Sequence, residues 1–288
     1  MKHAAKLTII LSLCASCLHA AEHAATGVVL KTDPAHRSLL ISCQAIPGYM
    51  SAMEMPFKVS SANVLASIQP GATIHFTIVT RGKALYAENI RALVNFEPEP
   101  ADAGALTALR DATDPAAAAK VLSIGEAVPD FALTDQAAQK IQPSQFRGKV
   151  VALTFGYSRC PNPNYCLRLS NNLAHVESRF HAQAGRDLIF ITIAIDPEYD
   201  RGDMLKRYAA SFKANPQTWH FLTGTVPQIK QVAALFGMDF WSSEGTLTHT
   251  LHTVVIDRDG KLAANLEGNQ FTAQQLGDLV KTVMDRPK

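Results

Sequence analysis

Val150-Val-Ala-Leu-Thr-Phe-Gly-Tyr157 is an uncharged, largely apolar run that leads into Ser158-Arg-Cys-Pro-Asn-Pro-Asn-Tyr-Cys166. The first stretch is typical of a β-strand. The second stretch places two cysteines, separated by five residues, where a following helix is expected to begin. A strand that ends at two thiols gives a site that can bind a soft metal or cycle through a disulfide.

Apolar strands and amphipathic helices alternate over the rest of the C-terminal part, which we assign to residues 123–288. The pattern predicts strands at 150–157, 188–195, 219–222, 252–257 and 262–267. It predicts helices near 164–182, 202–213, 225–236 and 272–285. This alternation is typical of an α/β sandwich with a central sheet. The strand at 188–195 is apolar on both faces, which predicts that it is central.

The N-terminal part reads as all-β. Five short β-prone runs, separated by turn signals, lie at 27–31, 38–42, 55–59, 73–79 and 85–90. They predict a small barrel of the OB type over residues 26–95. Residues 96–122 are rich in proline, alanine and acidic residues, which predicts a flexible linker.

Composition excludes some classes of function. Of the 288 residues, 47% are apolar, so the chain can bury a substantial core. The formal net charge is +2 and aromatic residues make up 7% of the chain. Neither a basic surface nor a stacking platform is therefore expected, which argues against a nucleic-acid partner.

The first 21 residues have the pattern of a signal peptide. A short basic segment precedes the apolar run Leu7-Thr-Ile-Ile-Leu-Ser-Leu-Cys-Ala-Ser-Cys-Leu18, and small residues follow at Ala20 and Ala21. The alternative is a lipoprotein acylated at Cys17. Either interpretation predicts an exported, periplasmic protein with three free thiols, those of Cys43, Cys160 and Cys166. That number allows one pair and one lone thiol, and it excludes a scaffold of disulfides.

The two thiols at 160 and 166 are expected to be reactive. Backbone N–H groups at the start of a helix favour a thiolate, and Arg159 is expected to add to this effect. A structural disulfide or a pair of buried core cysteines is the alternative. His249 and His252 are three residues apart, so in an extended chain they point to opposite faces and only one can face the thiols.

A second cluster of sulfur ligands lies in the N-terminal part. Its members are Cys43, Met50, Met53 and Met55. Met53 and Met55 are two residues apart, so on a strand both thioethers lie on one face. Thioethers bind soft ions, which indicates Cu(I) or Ag(I). Core packing is the alternative, because methionine commonly fills gaps.

Three stretches of the C-terminal part resemble the Sco/SenC family of copper-binding thioredoxin-like proteins. They are Phe155-Gly-Tyr-Ser-Arg-Cys-Pro161, Ile195-Asp-Pro-Glu-Tyr-Asp200, and His249 placed eight residues before Asp257-Arg-Asp-Gly260. The resemblance covers about residues 125–284. It implies a thioredoxin-like α/β fold and assistance in assembling the binuclear copper centre of cytochrome c oxidase, with an oxidase subunit as acceptor.

The same resemblance implies the metal ligands. Copper, as Cu(I) and also as Cu(II), would be bound by Cys160, Cys166 and His249, whereas His252 does not match a family ligand. This chain departs from the family in one respect, because it has five residues between the cysteines and the usual motif has three.

The second cluster is similar to the CusF-like periplasmic copper-binding domains, which are small OB barrels. The similarity is carried by Ile46-Pro-Gly-Tyr-Met-Ser-Ala-Met-Glu-Met-Pro-Phe57. Those domains use a histidine and two methionines, often with an aromatic lid. Cys43 stands near the histidine position and Met50 near the lid position. The similarity implies a second copper site.

Two functions from different classes follow. The first is a metallochaperone in which a linker raises the effective concentration of one copper site at the other. The second is a thiol-disulfide oxidoreductase that acts on the cysteines of a copper acceptor and is recharged by a periplasmic reductant. There Cys160 would attack and Cys166 would resolve. Peroxidase activity and copper sequestration are weaker alternatives. Two clusters of soft ligands favour metal handling.

Overall fold

The structure is a computed structural model that describes residues 22–93, 120–243 and 246–287. The predicted signal peptide, including Cys17, and most of the predicted linker lie outside these residues. The described N-terminal part contains five strands and one short helix. They are β1 (Glu22–Asp33), β2 (Ser38–Cys43), β3 (Met53–Lys58), α1 (Ala62–Ala66), β4 (Thr73–Arg81) and β5 (Ala84–Ala92).

These five strands form a closed barrel in the order β1-β2-β3-β5-β4. Alternate residues of β1 and β2, such as Val29 and Ile41, fill the interior and are fully buried. Each predicted strand is present, although β1 begins five residues earlier than the pattern suggested. The helix α1 was not predicted; the Ser61 side chain caps it by accepting a hydrogen bond from the Asn63 amide. Assignment of the barrel to the OB type stays a prediction.

The described C-terminal part is a mixed α/β unit. Its strands are β6 (Leu133–Asp135), β7 (Lys140–Ile141), β8 (Val150–Gly156), β9 (Leu188–Ala194), β10 (Trp219–Thr223), β11 (Phe240–Ser243), β12 (Thr246–His249), β13 (His252–Ile256) and β14 (Leu262–Glu267). Its α-helices are α2 (Arg168–Arg179), α3 (Asp203–Ser211), α4 (Val226–Ala234) and α5 (Ala273–Met284).

Seven of these strands form one sheet in the order β14-β13-β8-β9-β10-β6-β7. Strands β8 and β9 are parallel, with Val150 opposite Leu188, and every residue of both strands is buried. Apolar clusters cover the two faces of the sheet. The predicted α/β fold with a central apolar strand is therefore confirmed. Strands β6, β7, β11 and β12 were not predicted, because runs of two to four residues are too short to show a period.

The barrel packs against the C-terminal unit. Val28 and Leu30 of β1 belong to the same buried cluster as Leu276 and Leu279 of α5. At Gly71 (φ +94°) a Cβ atom would lie 2.7 Å from the backbone oxygen of Asn265 in β14, so the two backbones touch there. The two parts therefore share a core.

Polar groups of α5 also clamp the end of β2. The Gln275 Nε2 donates to the backbone oxygen of Ser42 at 2.9 Å, and the Ser42 hydroxyl donates to Asp278 at 2.7 Å. Arg179 of α2 forms an ion pair with the other carboxylate oxygen of Asp278 at 2.8 Å. Among the helices that the structure describes, none has the length and apolarity needed to span a membrane.

Candidate metal centre

Both thiols of the predicted site lie at the carboxyl end of β8. Cys160 is on the loop after the strand, and Cys166 lies in a single π-helical turn, Pro163–Leu167, that leads into α2. The Asn162 side chain accepts a hydrogen bond from the Asn164 amide at 2.9 Å and so caps this turn. This π-helical turn accommodates the longer spacing between the two cysteines. It returns Cys166, which is 1% exposed, to the end of the strand.

His249 supplies the third side chain from the end of β12. Its Nδ1 lies 2.9 Å from the Thr250 backbone oxygen, which can only accept, so Nδ1 carries a proton. Nε2 is therefore the ring nitrogen that faces the thiols, and it lies 3.3 Å from Cys166 Sγ. The ligand atoms of Cys160, Cys166 and His249 all lie within 4.8 Å of one another. The three residues proposed from the sequence are therefore brought together.

His252 takes a different position, at the start of β13. Its ring is buried, and its Nδ1 lies 3.0 Å from the Asn265 side-chain oxygen. The expectation that only one of the two histidines faces the thiols agrees with this geometry.

The two thiols are free and electrostatically unequal. Hydrogen bonds from the Cys166 thiol and from His249 lower the pKa of Cys160. The adjacent Cys160 sulfur and burial raise the pKa of Cys166. The pair therefore holds one negative charge on the more accessible sulfur, as a nucleophile or a metal ligand requires.

Arg159 does not play the part expected from the sequence. Its guanidinium forms an ion pair with Asp196 at 2.6 Å and stacks over the Tyr199 ring at 4.3 Å. Asp196 and Tyr199 both lie in the Ile195–Asp200 stretch that carries part of the family resemblance. The arginine thus fastens the thiol loop to that segment, and the acidity of Cys160 derives from Cys166 and His249.

Several supporting residues of the site were not identified from the sequence. Tyr157 donates a hydrogen bond to the Leu247 backbone oxygen at 3.1 Å, and its ring lies edge-on to His249 at 5.8 Å. The Ser158 amide donates to Asp200 at 2.8 Å. Both residues stand inside quoted motifs, but only the tertiary structure identifies their partners.

A groove of about 780 Å³ opens beside His249. The Asn269 side chain, in the loop before α5, donates to the Asn164 backbone oxygen at 2.7 Å and so touches the thiol loop. Gln270 also lines the groove, and its backbone oxygen accepts a hydrogen bond from Gln44, the neighbour of Cys43. One loop therefore contacts both the thiol site and the strand end that carries the second sulfur cluster.

The second cluster occupies one end of the barrel. Cys43 pairs with Met53 and Ile41 pairs with Met55 across β2 and β3, which places these side chains on one face. Cys43 is buried, and burial raises the pKa of its thiol to about 12. Met50 and Met55 pack against the barrel core, whereas Met53 is 43% exposed. The structure places the four predicted residues near one strand end, and a metal site there stays a prediction.

Comparisons with known proteins agree with this division of the chain. The SCO1/SenC family model matches residues 122–285, more than half of the chain. The model for the copper binding periplasmic protein CusF matches residues 22–91.

Individual relatives match the same C-terminal part. A SCO2-like protein of Rickettsia typhi is 31% identical over 147 residues, which cover 49% of this chain and 68% of that protein. A SCO1 protein homolog of Bacillus subtilis is 25% identical over 149 residues, covering 50% of this chain and 76% of that protein. The crystal structure of a SCO1/SenC family lipoprotein from Bacillus anthracis, 21% identical, has a TM-score of 0.51 and covers 58% of this chain and 100% of that chain.

The fold and the site define a thioredoxin-like protein with two cysteines and a histidine gathered at the end of a central strand. The match over residues 122–285 makes the assignment specific: the chain belongs to the SCO1/SenC family, and it carries a CusF-like domain before that region. Both resemblances stated from the sequence are thereby confirmed.

Proposed function

We propose that this protein is a periplasmic copper metallochaperone that binds copper at Cys160, Cys166 and His249 and passes it to an acceptor protein. The observation that carries the proposal is the convergence of two sulfurs and one imidazole nitrogen within 4.8 Å. Thiolate and imidazole together favour Cu(I), accept Cu(II), and are poor ligands for Ca²⁺ or Mg²⁺.

The electrostatics of the site support this assignment. A thiol must lose its proton to bind a metal, and the lowered pKa of Cys160 means that this sulfur is already deprotonated near neutral pH. The Thr250 oxygen holds Nδ1 of His249, so Nε2 is the ring nitrogen available to the metal. Copper binding at both sulfurs would also displace the proton of Cys166.

A second copper site at Cys43, Met50, Met53 and Met55 is part of the proposal. It is supported by the shared face of Cys43 and Met53 and by the description of the matching model as copper binding. The barrel packs against α5, and the loop of Gln270 contacts both sites. Copper would therefore move between the two sites of one molecule by exchange of sulfur ligands. The packing of the barrel against the C-terminal unit would set the distance between the two sites.

The place of action and the acceptor are inferred from relatives. The pattern of residues 1–21 and the periplasmic description of the CusF model support export, with acylation of Cys17 as the alternative. The family resemblance supports a cytochrome c oxidase subunit as acceptor.

An anaerobic Cu(I) titration of the reduced mature protein tests both sites. We expect two equivalents for the parent and one for the Cys160→Ser/Cys166→Ser variant. A Cys43→Ser/Met53→Leu variant is the matched control and should also bind one equivalent, retained at the thiol pair. Absence of tight copper at the thiol pair would contradict the chaperone assignment.

The unequal pair of free thiols favours a second candidate, a thiol-disulfide oxidoreductase. The Cys160 thiolate would attack a disulfide of the acceptor and release one acceptor thiolate, forming a mixed disulfide. Cys166 would then attack Cys160, releasing the second acceptor thiol and leaving a Cys160–Cys166 disulfide. A periplasmic thiol reductant would restore the pair. Stopped-flow reduction of a model disulfide measures this activity, and a rate no faster than that of a free thiol would exclude it.

A further inference from the structure

Two buried hydroxyl groups lie behind Cys166 and have no part in the site described so far. They belong to Tyr208 of α3 and to Ser170 of α2, four residues after Cys166. Within the described part of the chain, neither hydroxyl oxygen makes a hydrogen bond of normal geometry, and both are inaccessible to water, although the two hydroxyls are near enough to interact with each other. Ser170 is fully buried and Tyr208 is 7% exposed.

Gly156, the last residue of β8, shows how close the tyrosine comes to the thiol. A Cβ atom on Gly156 would lie 2.9 Å from the Tyr208 hydroxyl oxygen, 3.3 Å from Cys166 Cβ and 3.8 Å from Cys166 Sγ. The hydroxyl and the sulfur therefore flank the same small space. Glycine keeps that space open, because any larger residue would separate or displace the two groups.

A buried hydroxyl without a partner is unfavourable, and native proteins contain few of them. Phenylalanine would keep the packing of this ring, which meets Phe212 and Phe221 edge-on at 5.5 and 5.2 Å. The hydroxyl thus makes no hydrogen bond of normal geometry in the metal-free fold. Its presence beside a sulfur ligand indicates a partner that appears only in another state of the site.

We propose that the Tyr208 hydroxyl donates a hydrogen bond to Cys166 Sγ when that sulfur is a metal-bound thiolate, and that Ser170, four residues after Cys166, supports it. A thiolate accepts such a bond far better than a thiol does, since it carries the negative charge. Tyr208 and Ser170 are then positioning residues, which act on the metal through Cys166. This inference rests on the proposed copper site.

The proposed hydrogen bond would connect the copper site to helix α3. Outer-shell hydrogen bonds orient a ligand and adjust its electron donation to the metal. A donor on α3 would give the Cys166 sulfur a second neighbour that fixes its direction, in addition to His249 Nε2 at 3.3 Å.

Cu(I) affinity measured by competition with a chromophoric chelator tests the proposal, using the reduced protein in a Cys43→Ser background. We expect Tyr208→Phe to weaken copper binding by about 10–100-fold, the usual effect of losing an outer-shell partner. We also expect the metal-free variant to melt at or above the parent temperature. Ser170→Ala should act in the same direction, and Tyr86→Phe on the barrel is the matched control.

A spectroscopic readout separates positioning from packing. In the Cu(II) form, loss of a hydrogen bond to the thiolate should shift the sulfur-to-copper charge-transfer band of Tyr208→Phe to lower energy. Unchanged affinity and an unchanged band in Tyr208→Phe would overturn the inference, as would weaker binding accompanied by a lowered melting temperature without metal. If the parent binds no copper at the thiol pair, the proposed function fails and the inference fails with it. If the parent binds copper at the thiol pair but the variants do not show the expected changes, only the inference about Tyr208 is overturned.

Discussion

At the scale of single residues, the thiol site depends on which atom of each side chain faces the others. The Thr250 carbonyl fixes the proton of His249 on Nδ1, so that Nε2 points at Cys166. Hydrogen bonds from Cys166 and His249 place the negative charge on Cys160. These hydrogen bonds hold the three side chains as a preformed set of soft donor atoms.

The unequal thiols predict a distinct pH dependence of alkylation. The pKa of Cys160 is lowered, so its thiolate should persist, and its reaction with iodoacetamide should continue, well below the ordinary thiol pKa of about 8.5. Cys166, whose pKa is raised, should remain unreactive over the same range. Mass spectrometry after timed alkylation of the reduced protein measures both rates.

His249→Ala provides the comparison for this measurement. The substitution removes one of the hydrogen bonds that stabilise the Cys160 thiolate, so the alkylation profile of Cys160 should move to higher pH. A Cys160 rate in the parent that falls with pH like that of a free thiol would contradict the electrostatic description of the pair.

At the scale of elements, close backbone contacts decide how the barrel and the sheet fit together. The loop before β4 approaches β14 so closely that only glycine fits at position 71. The clamp between β2 and α5 then holds the strand end next to Cys43. The second sulfur cluster is thus attached to the same helix whose preceding loop lines the groove beside His249.

Gly71→Ala should destabilise this contact more than an ordinary glycine substitution. A Cβ atom at Gly71 would meet three backbone atoms of Asn265 at 2.7 to 2.9 Å, and backbone atoms move less easily than side chains. We expect the free energy of unfolding to fall by about 1–3 kcal/mol, as for overpacked cores. Denaturant unfolding measures the loss.

Gly82→Ala is a matched control for this prediction. Gly82 also has a positive φ, of +62°, but nothing lies within 4 Å of a Cβ atom there. It should therefore show only the backbone strain of the left-handed conformation, which is about 1 kcal/mol. Equal losses for the two variants would mean that the contact at Asn265 is unimportant.

At the scale of the whole molecule, docking joins the two matched regions into one body with two sulfur-rich sites. Asp278 is central to this arrangement, since it accepts from Ser42 of the barrel and pairs with Arg179 of the C-terminal unit. Removing it would leave the buried hydroxyl of Ser42 and the exposed guanidinium of Arg179 without their shared partner.

Asp278→Ala should therefore uncouple the barrel from the sheet. We expect the single thermal transition of the parent to split or broaden, with a loss of about 1.5–3 kcal/mol for hydrogen bonds to a charged group. Calorimetry measures the transition. Ser60→Ala is a matched control, because its hydroxyl bonds to Glu88 within the exposed part of the barrel and should leave the transition unchanged.

The same variant tests the relay. In the parent, movement of Cu(I) from the barrel site to the thiol pair should follow a rate that does not depend on protein concentration, because both sites belong to one docked molecule. In Asp278→Ala the rate should fall. A rate proportional to protein concentration in the parent would show that transfer occurs between molecules.

The sequence by itself determined the local features of this protein. Period-two and period-3.6 patterns depend on neighbouring residues, so the long strands and the helices were predictable. The closeness of Cys160 and Cys166 was predictable because a strand, a short loop and a helix place the two thiols together. Choosing His249 over His252 required the family resemblance.

Only the tertiary structure decided the features that join distant segments. The partnership of Arg159 with Asp196, the approach of Tyr208 to Cys166 and the clamp on Ser42 link residues 37 or more positions apart. No periodic pattern encodes such contacts, because they depend on how the layers pack after the strands have paired. The residue types of the candidate ligands are read from the local sequence. The directions of their side chains, their charges and their supporting groups are set by packing.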